Sequence, residues 1–190
     1  KILPVTNAKP CRAIKLEVET TGKSVKWFCG QENVDLIPSE SGKYAVFVTS
    51  VPGKYKVAAF TAAGDLVSEP AVAVIEIGGV SDLAVLMQEA YTSDTAADKE
   101  VIKKSLAALY RQAVNTAKDE NIKTVGDLFN VMATAGKQVN PDGKLKNVRL
   151  LISEEIKKNI TVKADEPMSD MIRNLASQTF GRVALLLENL

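Results

Sequence analysis

The sequence predicts an all-β unit followed by an all-α unit: a β-sandwich of about seven strands over residues 1–78 and a four- to five-helix bundle over residues 79–190. Two changes of texture predict it. Up to Gly78-Gly79 the apolar residues alternate in short runs, with turn residues about every ten positions; after it they recur at helical spacing and the turns thin out. Composition adds a third observation. Of 190 residues, 46% are hydrophobic and 25% charged, which is ordinary for a chain that buries a core and excludes disordered and fibrous classes.

The strands follow in order. Ile14, Leu16 and Val18 alternate with Lys15, Glu17 and Glu19, the period of a half-buried strand. Thr21-Gly22-Lys23 turns the chain into Val25, Trp27 and Cys29, which alternate with Lys26 and Phe28. A break at Gly30 precedes a short strand from Val34 to Ile37, and the turn-rich stretch Pro38 to Gly42 precedes a longer one from Tyr44 to Thr49. Pro52-Gly53 leads into Tyr55, Val57 and Ala59, Ala63-Gly64-Asp65 turns again, and Val72 to Ile77 closes the series.

The helices have start signals and stripes. Ser81 caps a first helix with Leu83, Leu86, Met87 and Ala90 on one face. Thr95-Ala96-Ala97-Asp98 opens a second, striped by Ile102, Leu106, Leu109, Ala113 and Val114. Thr124-Val125-Gly126-Asp127 repeats the signal before Leu128, Phe129, Met132 and Ala135. After the turn Pro141-Asp142-Gly143 comes a fourth stripe of Leu145, Val148, Ile152 and Ile156. Pro167 opens the last helix, with Met171, Ile172, Leu175, Val183, Ala184 and Leu187 at helical spacing. Short connections make antiparallel neighbours, hence a bundle.

Several residues in the first unit carry a resemblance. Pro10 before the strand Ile14 to Val18, the lone Trp27 in the next strand, and Pro52-Gly53-Lys54-Tyr55-Lys56-Val57 together resemble the immunoglobulin-like domains of the PKD type found in bacterial surface proteins. In that family a Gly-x-Tyr-x-Val segment begins the penultimate strand, and a Trp from the middle strand packs beneath it. The similarity covers residues 1–77 and departs from the family pattern where Cys11 follows Pro10. The two-part arrangement as a whole is similar to uncharacterised proteins of environmental bacteria and their phages. The resemblance implies an extracytoplasmic or virion-surface setting and a part played by contact.

Chemistry narrows the function further. The chain contains no histidine, so Ser–His–Asp and Cys–His catalysis are excluded, and the commonest metal ligand is absent. Ser105 with Lys103 or Lys104 is a poor dyad, because helix neighbours one or two positions apart face different ways. The carboxylate pairs Asp94/Asp98 and Glu154/Glu155 are the raw material for a hydrolase, and Asp94, Thr95 and Asp98 for a calcium site. Capping and a solvated helix face account for them more simply, and aromatics, 5% of the chain, are too few to line a sugar cleft. No catalytic, cofactor-binding or metal site is therefore expected. A net charge of +1, from 24 basic and 23 acidic residues, argues against nucleic acid as partner, and no apolar run is long enough to cross a bilayer.

What is left is contact. Cys11 and Cys29 are candidates for one disulfide, with two separate thiols as the alternative. Loops at one end of the sandwich, through Gln31, Glu32, Asn33 and Asp35 and through Ala63, Asp65 and Leu66, are the candidate contact surface. The apolar stretch Val183 to Leu187 is a further docking candidate, and Lys15, Lys26, Lys54 and Lys56 are candidates for a basic outer face. A start at Lys1 rather than Met leads us to expect that something has been removed, whether a signal peptide, a propeptide or sequence outside the boundary of an expressed fragment. The expected role is a non-catalytic structural or adhesive component of an extracytoplasmic or virion-surface assembly, with protein partners including a second copy of itself. A carbohydrate- or cell-wall-binding module and a carboxylate-dependent hydrolase are the alternatives.

Overall fold

The computed structural model describes residues 1–6, 8–10, 12–78, 99–116, 120–128, 130, 148–161 and 163–190, with backbone alone for 115–116 and 148–153. It is a mixed β and α structure. Seven strands come first: β1 (Ile14–Glu17), β2 (Val25–Cys29), β3 (Asp35–Pro38), β4 (Tyr44–Val48), β5 (Gly53–Ala63), β6 (Leu66–Val67) and β7 (Ala71–Ile77). Then come α1 (Lys99–Thr116), α2 (Val148–Asn159) and α3 (Asp170–Glu188), with a helical turn at 125–128. The expected helix from Ser81 and the turn at Pro141-Asp142-Gly143 lie outside the described residues, as does Gly79 of the joint.

All pairing is antiparallel. One sheet has the order β1-β4-β3; in the other, β5 pairs with β2, β6 and β7. Ile14 and Leu16 face Phe47 and Ala45 across the first sheet, and Tyr55, Val57, Ile75 and Ile77 project inward from the second. These two sets meet in a core joined by Trp27, Cys29 and Leu36, each half-buried.

Tyr55 anchors that core at one corner. Its ring stands edge-on to Phe47 with centroids 5.4 Å apart, and its hydroxyl donates to the Val51 carbonyl at 2.7 Å and lies 3.2 Å from Thr49 Oγ1. Trp27 is held by its indole N–H, which donates to the Gly42 carbonyl at 2.5 Å. Position 42 must be glycine on two counts. Its φ is +70°, and an added Cβ would lie 2.0 Å from the Val25 carbonyl oxygen.

The first sheet is buried on its other face as well. Tyr44, Val46 and Val48 of β4, with Ile37 of β3, point away from the second sheet and pack against Ile102, Leu106, Leu109 and Tyr110 of α1. This explains why β4 is buried from Ala45 through Val48 without alternation. One continuous core therefore includes residues of the first sheet and of α1, the 125–128 turn, α2 and α3. Polar contacts reinforce it. Arg111 bridges Asp35 of β3 and Glu188 of α3, while Gln112 donates to Asp35 at 2.9 Å and accepts from the Ser50 N–H at 3.1 Å.

α1 and α3 run antiparallel, since Arg111 meets Glu188, Val114 meets Ser177, and Ile122, just beyond α1, meets Arg173. Tyr110 stacks edge-on to Phe180 at 6.1 Å, and burial pushes its hydroxyl well above the ordinary tyrosine range. The last helix is capped by Ser169, whose Oγ accepts the Ile172 N–H at 3.3 Å, and not opened by Pro167. Met171 is correspondingly 73% exposed, off the stripe expected for it, and Phe180 and Ala176 take up the core face instead. The start signal at Thr124 is realised: Thr124 Oγ1 accepts the Asp127 N–H at 3.2 Å, and Asp127 Oδ2 accepts the Thr124 N–H at 2.9 Å.

The shared core makes a definite expectation for Leu106→Ala. Leu106 is fully buried, so the truncation should cost about 2–5 kcal/mol. Fluorescence of Trp27, the only tryptophan, should then shift its denaturant midpoint together with the helical circular dichroism. An unmoved tryptophan transition would mean that the sheets unfold separately from α1. A second expectation concerns acid. Hydrogen bonds from the Thr124 backbone lower the Asp127 pKa, so its contribution is present above the ordinary carboxylate value of about 3.9 and is lost as pH falls through the lower folded value. The stability difference between the native chain and Asp127→Asn should shrink on acidification below about pH 4; a difference that grows there would contradict the assignment.

Candidate functional site: the outer face of the second sheet

Because the helical part covers β3 and β4 of the first sheet, leaving only Lys15 and Glu17 of β1 toward solvent on that face, the second sheet supplies the broad surface. Its inward residues are odd-numbered on β2, β5 and β7, so the even-numbered ones point outward. Register stacks them in rows: Lys54 beside Glu76, Lys56 beside Val74, Phe28 beside Ala58 beside Val72, Lys26 beside Phe60, and Ala62 beside Val67. The apolar members are far from buried. Phe28 is 62% exposed, Val72 50%, Val74 64% and Val67 61%. A contiguous apolar stripe thus crosses three strands, with Lys26 and Lys56 on its flanks and the loose pair Lys54–Glu76, 4.0 Å apart, at one end. Scattered surface valines need no explanation, whereas a joined patch of this kind makes this face the candidate site.

The loops behave differently from the strands. Register separates the two expected contact loops. The turn after β2 lies where Cys29 meets Val57, whereas the β5–β6 hairpin lies beyond the Val25–Thr61 pair, so the loops sit at opposite ends of the sheet. Gln31 spans back to β5, its amide donating to the Lys54 carbonyl at 2.8 Å and accepting from the Lys56 N–H at 2.6 Å. Asn33, at φ 59°, offers its carbonyl to Thr49 Oγ1 at 2.7 Å. Asp35 is engaged by Arg111 and Gln112. Glu32, Ala63, Asp65 and Leu66 are exposed, Leu66 at 78%.

Other candidates fall elsewhere. Cys29 is half-buried at the end of β2, while Cys11, and any bridge to it, lies outside the described residues. Asp94, Thr95 and Asp98 are also outside them; Glu154 is exposed, and Glu155 accepts from the Asn159 amide. Ser105 is buried in the core and Lys103 pairs with Glu100 at 3.1 Å, so they form no dyad. Of the four lysines, Lys26, Lys54 and Lys56 share the outer face, but Lys15 lies on the other sheet, paired with Glu17 at 2.8 Å and over the Tyr44 ring. In the terminal stretch Val183, Ala184 and Leu187 are buried, leaving Leu185 and Leu186 exposed.

Among the described residues no helix is long and apolar enough to cross a membrane. Comparison with family models, curated proteins and solved structures finds no match to this chain.

The Gln31 clamp is directly testable. Gln31→Ala removes both hydrogen bonds to β5 and should cost about 1 kcal/mol or less, because the site is exposed. Its clearer effect should be faster amide exchange at Lys56, and an unchanged Lys56 amide would show that the clamp does not hold in solution.

Proposed function

We propose that this chain is a non-catalytic structural or adhesive component of an extracytoplasmic or virion-surface assembly, working through protein contacts, a second copy of itself among the partners. The observation that carries the reading is the apolar stripe of Phe28, Val72, Val74 and Val67 on the outer sheet face. Interfaces of this kind place apolar residues centrally and charges at the rim, the arrangement that Lys26, Lys54 and Lys56 supply around the stripe.

The accompanying fold assignment for residues 1–78 is an immunoglobulin-like sandwich of the PKD type, followed by a helical bundle. Strand order supports it. With the bridge Ile2–Val18 counted as a first strand, the sheets group the first, second, fifth and fourth strands against the third, sixth and last, the grouping of constant-type immunoglobulin domains. Tyr55 supports it as well, since a tyrosine near the start of the penultimate long strand that bonds back to the chain upstream is a hallmark of such domains. Fold of this sort hosts many functions, so the role rests on the surface and not on the topology.

One observation favours a second reading. Phe28 and the half-exposed Phe60 lie on a flat sheet face, as a carbohydrate-binding module would need. Light scattering across a concentration series decides between the two. The contact reading expects the native chain to associate and Phe28→Lys to remain monomeric with an unchanged melting temperature. A native chain that stays monomeric throughout, and binds an insoluble polysaccharide through Phe28, overturns it in favour of the carbohydrate module.

A further inference from the structure

The edge of the second sheet carries an offer distinct from its face. In an antiparallel strand, successive residues direct their N–H and C=O groups alternately to one neighbour and the other. On β5 the Lys56 N–H and Lys54 C=O point toward Gln31 on the β2 side, whereas the Thr61 N–H and C=O meet Ser68 on the opposite side. Odd-numbered residues of β5 therefore serve β7, through the pairs Tyr55–Ile75 and Val57–Ala73. It follows that Val72, Val74 and Glu76 aim their N–H and C=O groups away from β5, as Gly78 does in donating to the Ala8 carbonyl at 3.4 Å. Among the described residues no partner meets those of Val72, Val74 and Glu76.

The chain's own beginning passes this edge without closing on it. It leaves β1 at Leu3, whose N–H donates to the Glu17 carbonyl at 2.9 Å, and among the described residues it next meets β7 at Ala8; Pro4 in between has no N–H to give. The gap is a cleft of about 260 Å³ between the segment and β7, lined on its apolar side by Ile2, Val5, Ala8, Ala73 and Ile75.

We propose that the outer edge of β7 is a strand-addition site that takes an extended segment of a partner polypeptide with alternating apolar residues and a basic residue beside Glu76. The alternation of backbone groups fits only an extended chain, which would use the donors and acceptors of all three residues. Of its side chains, one set enters the cleft beside Val5, Ala73 and Ile75 and the other extends the outer stripe beside Val72 and Val74. Glu76, exposed and only loosely engaged by Lys54, selects a cation in the adjoining position.

The proposal builds on the contact reading but is separable from it, because Phe28→Lys alters the face and leaves the edge intact. The probe is a capped heptapeptide of alternating valine and threonine carrying one lysine, used with the full chain. Amide exchange in the free protein should be fast at Val72, Val74 and Glu76 and slow at Ala73 and Ile75. Saturating peptide should slow the first three by at least about tenfold, and Phe28→Lys should respond alike.

Val74→Pro removes an N–H that the β5 ladder does not use, so it should fold and fail to bind. The same peptide N-methylated at alternate residues should fail against the native chain, which keeps the test decisive if the proline variant misfolds. Binding of the N-methylated peptide equal to that of the parent overturns the proposal, as does no binding by the parent. Protection of the Val74 amide in the free protein equal to that of Ala73 does so too, since the chain would then cover its own edge.

Discussion

The constraint on which the structure depends is the burial of β4, the central strand of the β1-β4-β3 sheet, on both faces. A strand with one wet face needs polar residues at alternate positions, and β4 has none between Ala45 and Val48. Phe47 is committed to the second sheet, Val46 and Val48 to the helices, and neither face can be vacated without exposing fully buried aliphatic side chains. The helices are consequently the second cover of a sheet that would otherwise present Ile37, Val46 and Val48 to water. The bridging of Arg111 between Asp35 and Glu188, and of Gln112 between Asp35 and Ser50, fixes the register of α1 on that sheet and contributes little raw stability where it is exposed.

That commitment determines which broad apolar surface the described residues leave exposed. With β3 and β4 covered on both sides, the broad exposed surface of the β region is the outer face of β2, β5 and β7. Sequence economy makes the apolar character of this face more telling. Lys26, Lys54, Lys56 and Glu76 occupy outward positions and would keep a solvent face wet, yet Phe28, Val72 and Val74 interrupt them in adjoining rows. Nothing in the core requires those three to be apolar, because their inward neighbours Trp27, Ala73 and Ile75 already fill the interior.

Much of the fold was legible because periodicity is a local property. Alternation located β1 and β2, a run of β-branched residues located β7, the glycine and proline turns bounded β4 and β5, and the Thr124 and Asp127 pair marked a helical turn by a hydrogen-bond pattern that spans four residues. The two-residue β6 left no such trace, since it exists only by pairing with the end of β5. Pro167 misled for a related reason. Proline is tolerated near a helix start, but the nearby Ser169, whose hydroxyl caps Ile172, sets the phase of the last helix and so turns Met171 outward.

The candidate surface was less legible, and the cause lies in strand pairing. Gln31 to Asp35 and Ala63 to Leu66 both read from sequence as short turn-forming loops, but only the register of β2 against β5 reveals that they occupy opposite ends. Likewise Phe28, Val72 and Val74 are far apart along the chain and become one patch only because Phe28 and Val72 share Ala58 as neighbour. A strand's two faces can be read from alternation, but which face stays wet depends on what arrives from elsewhere in the sequence. For the inner sheet that arrival is α1, and the outer sheet, with no described element over its apolar stripe, holds the same kind of surface without a cover. The two faces are thus alike in kind, and among the described residues they differ only in that one is closed from within the chain.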